Sequence, residues 1–282
     1  MWILALLEPG KGYKINLKLT ALLCGFSLEN TMLFDSHLHL DQLSDENIQK
    51  TLGDSKITGM LAVSTNLKSA KKLLNLKQAY PEKLYIAAGF HPEQPLLNLE
   101  EREELFQWID EHHSSISAIG EVGLPHYSKR ENSNLDYVPY IELLERFILI
   151  AKKWDLPLNL HIVHNDVDIA LELLQKHNIQ RVHFHWFKTD EKSFQKFLST
   201  PYFASLTPDI LWNYKTQYVA QHLSLNRLMI ETDSPWPHEG LESAVISEQL
   251  FAVVKKVAEL KSLPLHYVQE QMLLNTQQFY RL

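Results

Sequence analysis

Six residues spread between positions 37 and 233 carry side chains that bind divalent cations, and each sits at the end of a short apolar run. His37 and His39 stand two apart in Asp35-Ser36-His37-Leu38-His39, so an extended chain presents both imidazoles to one side. Glu121 lies between glycines in Gly120-Glu121-Val122-Gly123, a setting that neither core packing nor the wet face of a helix explains. His161 follows Leu158-Asn159-Leu160, His185 follows Val182-His183-Phe184, and Asp233 stands just past Ile230. Any one of them alone reads as a polar residue hydrogen-bonded at a loop entrance. Together, imidazoles and carboxylates crowded at one dry mouth cost solvation energy unless a cation binds them. A carboxylate can bridge two cations with its two oxygens. The set His37, His39, Glu121, His161, His185 and Asp233 therefore predicts a site for two divalent ions. Mixed nitrogen and oxygen ligands suit Zn²⁺, Mn²⁺, Fe²⁺ or Co²⁺ and, less well, Mg²⁺. Paired ions activate water near neutral pH and polarise the bond under attack, which hydrolyses phosphodiesters, phosphotriesters, amides or lactones. The ligands fix the reaction class and leave the substrate open.

Such a constellation needs a scaffold that brings strand ends together. From residue 32 onward, short apolar runs alternate with amphipathic segments, the signature of a parallel sheet with crossover helices. The eight strand candidates are Leu33–Asp35, Ile57–Val63, Leu84–Ala88, Ile116–Ile119, Leu158–Leu160, Arg181–His185, Tyr202–Leu206 and Arg227–Ile230. Helical periodicity runs through Leu67–Ala79, Glu100–Glu111, Leu135–Lys153, Ile169–His177, Glu191–Leu198, Asp209–His222, Ser243–Leu260 and Leu265–Tyr280. Eight such units predict a single α/β domain over residues 32–282, a (β/α)₈ TIM barrel whose site lies at the C-terminal ends of its strands. On strand alternation His183 shares a face with His185, which points it into the barrel interior.

The bulk numbers agree with a globular enzyme. Of 282 residues, 45 % are hydrophobic and 22 % charged, and the formal net charge is −7. That acidity argues against a broad grip on duplex nucleic acid. It does not exclude a nuclease, because bound cations supply local positive charge. The single cysteine, Cys24, rules out an intramolecular disulfide and suits a cytoplasmic setting. No apolar run reaches the length of a membrane span. Residues 1–31 read either as an N-terminal extension ahead of a natural start at Met32 or as an extra helix on the barrel.

Several segments, in this order and spacing, resemble the TatD family of metal-dependent deoxyribonucleases within the amidohydrolase-like barrels. They are Phe34 to Asp41, Gly89-Phe90-His91-Pro92, Ala118 to Leu124, Leu156-Pro157 through His161, His185-Trp186-Phe187, Glu231 to Pro235 and Asn275-Thr276. The resemblance implies that His37, His39 and Asp233 hold one cation, that His161 and His185 hold the other, and that Glu121 bridges. It further implies that Asp233 takes the proton of the attacking water and that His91 contacts the substrate phosphate. The implied activity is removal of nucleotides from DNA ends.

The sequence departs from the family pattern near the site. Pro125 stands where an Asp is usual, Ile162-Val163 where Ser-Arg is usual, and Glu93 where a second His is frequent. The ligands are intact while the surrounding shell is altered, so the pocket lacks one guanidinium clamp for phosphate. Lys188, Lys129 and Arg130 are candidate substitutes, and Trp186, Trp212, Tyr214, Trp236 and His238 can offer stacking surfaces to unpaired bases. His91, Lys188 and Trp236 are the leading substrate-binding candidates. Three functions compete: a deoxyribonuclease acting on single-stranded or frayed ends, a two-metal hydrolase of a small ester, lactone or amide, and a barrel that only binds.

Overall fold

The computed structural model describes residues 32–241 and 245–282. The expectation for residues 1–31 lies outside them. Eight strands form one parallel sheet in chain order: β1 (Leu33–Leu38), β2 (Ile57–Val63), β3 (Leu84–Ala88), β4 (Ala118–Gly123), β5 (Leu158–His161), β6 (Val182–Phe184), β7 (Phe203–Leu206) and β8 (Leu228–Ile230). The helices are α1 (Asp45–Gly53), α2 (Leu67–Ala79), α3 (Leu99–His112), α4 (His126–Glu131), α5 (Val138–Trp154), α6 (Asp166–Lys176), α7 (Glu191–Leu198), α8 (Tyr214–His222), α9 (Ile246–Lys261) and α10 (Leu265–Tyr280). This alternation is the (β/α)₈ barrel that the sequence predicts.

The sheet curls until β1 and β8 meet. Among the described residues no strand ladder pairs these two. They are stitched instead at their C-terminal ends. Asp233 N donates to His37 O at 3.0 Å and His39 N to Ser234 O at 2.7 Å. Side chains add to the seam: Thr232 Oγ1 donates to Asp35 Oδ2 at 2.6 Å, and Ser36 Oγ to Ile230 O at 2.9 Å.

Helix starts follow local chemistry. Asn66 caps α2 by accepting from Ser69 N, Asp190 caps α7 by accepting from Ser193 N, and Asn98 and Glu101 form a reciprocal capping box on α3. The predicted helix over Asp209–His222 is in fact two pieces. A 3₁₀ turn spans Pro208–Leu211, and α8 begins after Asn213, whose side chain accepts from Lys215 N. That cap gives the backbone an alternative to continuing the first turn. The helix predicted from Leu135 begins at Val138, with Pro139 in its first turn, where a missing N–H costs nothing. The helix predicted over Ser243–Leu260 runs Ile246–Lys261 as α9, residues 243–244 of the prediction lying outside the described residues, and α10 matches expectation.

Two strands are longer toward the site than their apolar runs suggest. β1 continues through His37, and β4 shifts to Ala118–Gly123, because the polar residues there are as buried as the apolar ones. Glycine permits the close packing of β4 on β5. A Cβ on Gly123 would overlap the carbonyl of His161, its register partner.

Candidate metal centre and cleft

All six predicted ligands converge at the C-terminal mouth of the barrel. His37 and His39 come from the end of β1, Glu121 from β4, His161 from the end of β5, and His185 and Asp233 from the loops after β6 and β8. His37 and Glu121 are fully buried, and His185 nearly so.

Glu121 stands between two groups of nitrogens. Its Oε2 lies 3.3 Å from His37 Nε2 and 3.2 Å from His39 Nε2. Asp233 Oδ1 lies 3.4 Å from each of the same two nitrogens. On the other side, Glu121 Oε1 lies 2.7 Å from His161 Nδ1 and 2.8 Å from His185 Nε2. His37 Nε2, Glu121 Oε2 and Asp233 Oδ1 are buried and make no hydrogen bond. Buried polar atoms without partners are rare in native proteins and call for an explanation. A tetrahedral ion bonded at ~2.0–2.1 Å would hold its ligands ~3.3–3.4 Å apart. The nitrogen–oxygen separations around Glu121 Oε2 and Asp233 Oδ1 match that spacing, so the residues present fit a divalent cation.

The tautomers agree. His37 Nδ1 lies 2.8 Å from Asn159 Oδ1, an acceptor, so Nδ1 carries the proton and Nε2 keeps its lone pair. His39 Nδ1 faces Val63 O at 3.3 Å, with the same consequence. His185 Nδ1 faces Glu231 Oε1 at 3.4 Å, which leaves Nε2 for the cluster. Glu231 was not among the predicted ligands. Its Oε1 accepts from Trp186 N at 2.7 Å and its Oε2 accepts from Ser205 Oγ, so it orients its neighbours.

Burial would strip the charge from the cluster, and the mixture of signs prevents this. Burial lowers the imidazoles of His39 and His161, but neighbouring carboxylates, Asp233 and Glu121 beside His39 and Glu121 and Glu93 beside His161, raise both to about 9. Burial likewise raises Asp233, yet its contacts with His37 and His39 outweigh that and hold its carboxyl well below the usual range. Protons thus stand in where cations would, and a bound ion would displace them.

His91 also faces Glu121, close enough to group with it and His161 around an ion. Its Nδ1 accepts from Glu93 N at 3.2 Å, so its proton sits on Nε2, 3.5 Å from Glu121 Oε1. Burial lowers its pKa to about 4, which keeps the ring neutral and a hydrogen-bond donor into the site. Glu93, in place of a second histidine, accepts from Tyr127 N, Ser128 N and Ser128 Oγ at the start of α4. Burial would raise its pKa, but the His161 imidazole 3.6 Å away and hydrogen bonds from Ser128 and Tyr127 bring it down to about 2.

The cluster opens into a cleft of roughly 990 Å³. Lys188, Trp236, Arg130 and Val163 line it, so the apolar departure at position 163 faces the substrate space. Ile162 instead turns into the core. Lys129 serves structure, its Nζ donating to Ser133 O and Leu135 O. His183 lies in the interior as alternation predicts, between Ser205 Oγ and the Tyr280 hydroxyl, each at 2.6 Å.

Sequence reasoning missed Asn159 and Glu231, which hold His37 and His185 in place. For Asn159 the signal was present, since it stands two residues before His161 on the same face of β5; Glu231 lies just past the end of β8, where alternation gives no guide. It missed α4 because His126–Glu131 has no apolar periodicity.

The sequence pattern of the family described as TatD related DNase matches residues 34–281. The chain belongs to this family. Its TatD relatives include a metal-dependent hydrolase of Haemophilus influenzae, 88 % identical over 251 residues that make up 89 % of this chain and all of that protein. The human protein named deoxyribonuclease TATDN3 is 26 % identical over 214 residues, covering 72 % of this chain and 78 % of its own length. The crystal structure of the TatD homologue YjjV from Escherichia coli superposes with a TM-score of 0.76 at 24 % identity, covering 89 % of this chain and 98 % of that one. This chain is thus a TatD-family metal-dependent hydrolase with the family's barrel. None of its described helices is long and apolar enough to cross a membrane.

Proposed function

We propose that this protein is a deoxyribonuclease that cleaves phosphodiester bonds at DNA ends, using two divalent cations. The observation that supports it most is the division of Glu121, one oxygen toward His37 and His39 and the other toward His161 and His185. His37, His39 and Asp233 would hold one ion and His161 and His185 the other, with Glu121 serving both. Bound there, the ions supply a nucleophile from water near neutral pH and stabilise charge on the attacked and leaving oxygens. Asp233, held ionised beside His37 and His39, accepts the proton. His91 directs its Nε2 proton at a phosphate oxygen, where charge grows in the transition state. Lys188, whose side chain is only 11 % exposed, adds a cation whose lowered pKa follows from burial. Trp236 lines the same cleft. The DNA assignment draws on the family description and on the name of the human relative.

A second reading is a hydrolase of a small ester, lactone or amide. Val163 favours it, since an apolar side chain lines the cleft where the family pattern places arginine. A labelled single-stranded oligonucleotide, incubated with Mn²⁺, Mg²⁺, Co²⁺ or Zn²⁺, decides between them. A shortening ladder that disappears in Glu121→Ala supports the nuclease. Two bound metals without DNA cleavage, together with turnover of generic esters or lactones, rejects it in favour of the second.

A further inference from the structure

The cleft is larger than one scissile bond needs, standing near the top of the ~300–1,000 Å³ range of ligand sites. Its outer rim has two features that packing does not explain. Trp212 is 50 % exposed and Trp236 57 % exposed, although tryptophan is highly buried on average. Both line the cleft. Their main chains are fixed close to the chemistry. Trp236 N donates to Asp233 O at 2.9 Å, and Trp212 N donates to Asp209 O at 3.0 Å at the end of the 3₁₀ turn. Two further rings connect them: Trp236 meets Trp186 at 5.9 Å, Trp186 meets His238 at 5.5 Å, and His238 meets Trp212 at 6.2 Å. His238 is buried and its Nε2 donates to Thr232 O at 2.9 Å, so the row is anchored at its centre.

The second feature is a cation without an anion. Arg130 lines the same cleft, and its guanidinium lies over the Tyr127 ring at 5.4 Å. Among the described residues it has no carboxylate partner. Lys188, by contrast, has Asp209 Oδ2 at 3.7 Å and the Trp186 ring at 3.9 Å. In a chain of net charge −7, a guanidinium with no carboxylate partner on the rim of the cleft awaits an anion from outside.

We propose that this rim is a strand-binding subsite: Trp212 and Trp236 stack on unpaired nucleobases, and Arg130 pairs with a phosphate next to the one being cleaved. The inference rests on the nuclease reading and deepens it to single-stranded ends. Stacking needs a free base face, which a duplex covers. Arg130 also restores, from α4, the guanidinium that position 163 on the neighbouring loop lacks.

The test uses the metal-loaded protein and a fluorescein-labelled tetradeoxynucleotide with phosphorothioate linkages to slow cleavage. A second strand carries abasic sites at its two terminal positions. Fluorescence anisotropy reads affinity. Removing the bases should weaken binding to the wild type by roughly 5- to 150-fold per stacked base. The Trp212→Ala/Trp236→Ala variant should lose about as much with the intact strand and show no further loss with the abasic one. Arg130→Ala should weaken both strands alike and flatten the salt dependence by about one phosphate contact. Equal affinity of the wild type for both strands overturns the subsite, as does base discrimination surviving in the double variant. If the intact strand is cleaved without base discrimination, the subsite falls and the nuclease stands. If neither strand binds nor is cleaved, both fall together.

Discussion

The phenol of Tyr280, in the last turn of the final helix, donates to His183 Nδ1 at 2.6 Å across 97 residues of sequence. Burial raises its pKa well above the ordinary value, so the proton stays on oxygen. The same oxygen accepts from Asn159 Nδ2 at 3.1 Å. Asn159 in turn accepts from His37, while His183 passes its Nε2 proton to Ser205, and Ser205 donates to Glu231. One hydroxyl thus links the support of His37 to the chain of hydrogen bonds that runs through His183 and Ser205 to Glu231. Tyr280→Phe should lower metal affinity by no more than ~10-fold, the low end of the loss usual for groups that bond a ligand directly, because Tyr280 acts on His37 through Asn159. It should also cost about 1–3 kcal/mol of stability for the unpaired atoms left behind. Competition with a fluorescent chelator on the folded variant measures the first. A lowered melting temperature with unchanged affinity would reduce Tyr280 to a packing residue.

Glu121→Gln should abolish binding of both ions, because a single carboxylate serves both groups. His161→Ala should abolish only one. Elemental analysis of the purified variants distinguishes these outcomes. Chelation gives an independent reading. An ion at 100 times its Kd stabilises the fold by about 2.7 kcal/mol, so EDTA should lower the melting temperature of the wild type and leave Glu121→Gln unmoved. Retention of two ions by Glu121→Gln would remove Glu121 from the bridging role.

His164 predicts an acid-side change in stability. Burial, reinforced by Lys215, His126, Lys188 and Arg130, lowers its pKa to about 4. In the unfolded chain it titrates near ~6.5. The unfolded state therefore binds more protons between these values, and the contribution of neutral His164 is present above pH ~6.5 and lost as the pH falls through about 4. His164 has a left-handed backbone, φ 55°, which asparagine tolerates. In chelated protein, the melting temperature of His164→Asn should fall less steeply than that of the wild type across this window. Parallel curves would show that His164 does not titrate as described.

Gly123→Ala should destabilise the barrel by at least 1–3 kcal/mol, the usual range for overpacking. The new methyl meets the His161 carbonyl, a main-chain atom that cannot swing away. Urea denaturation measures the loss. Because the displaced carbonyl belongs to a proposed ligand, metal affinity should fall with it.

The barrel was legible because its strands are continuous apolar runs and its helices are amphipathic, two periods that the eye separates easily. The ligands were legible because histidine and glutamate at such strand ends have no packing explanation. Boundaries were less so. Hydrophobicity stops β1 at Asp35, yet the chain stays extended and buried through Leu38, its polar groups satisfied across the seam. Asn159 and Glu231 were hidden by their ordinariness, since only the fold shows what they touch. The role of Glu93 depended on α4, a helix held by contacts at its start rather than by an apolar face. The aromatic rim brings together Trp186, Trp212, Trp236 and His238 from three loops, after β6, β7 and β8, and no spacing in the sequence announces that meeting.

The seam between β1 and β8 bears on the proposed cations in another way. His37 and His39 belong to one side of that seam and Asp233 to the other. An ion held by all three would be a rivet across the joint in the barrel wall that, among the described residues, lacks a strand ladder. It would close a loop of nearly the whole domain, tying the first strand to the last. Occupancy of the site and integrity of the cylinder then become a single equilibrium, and the fold guards its own loaded state.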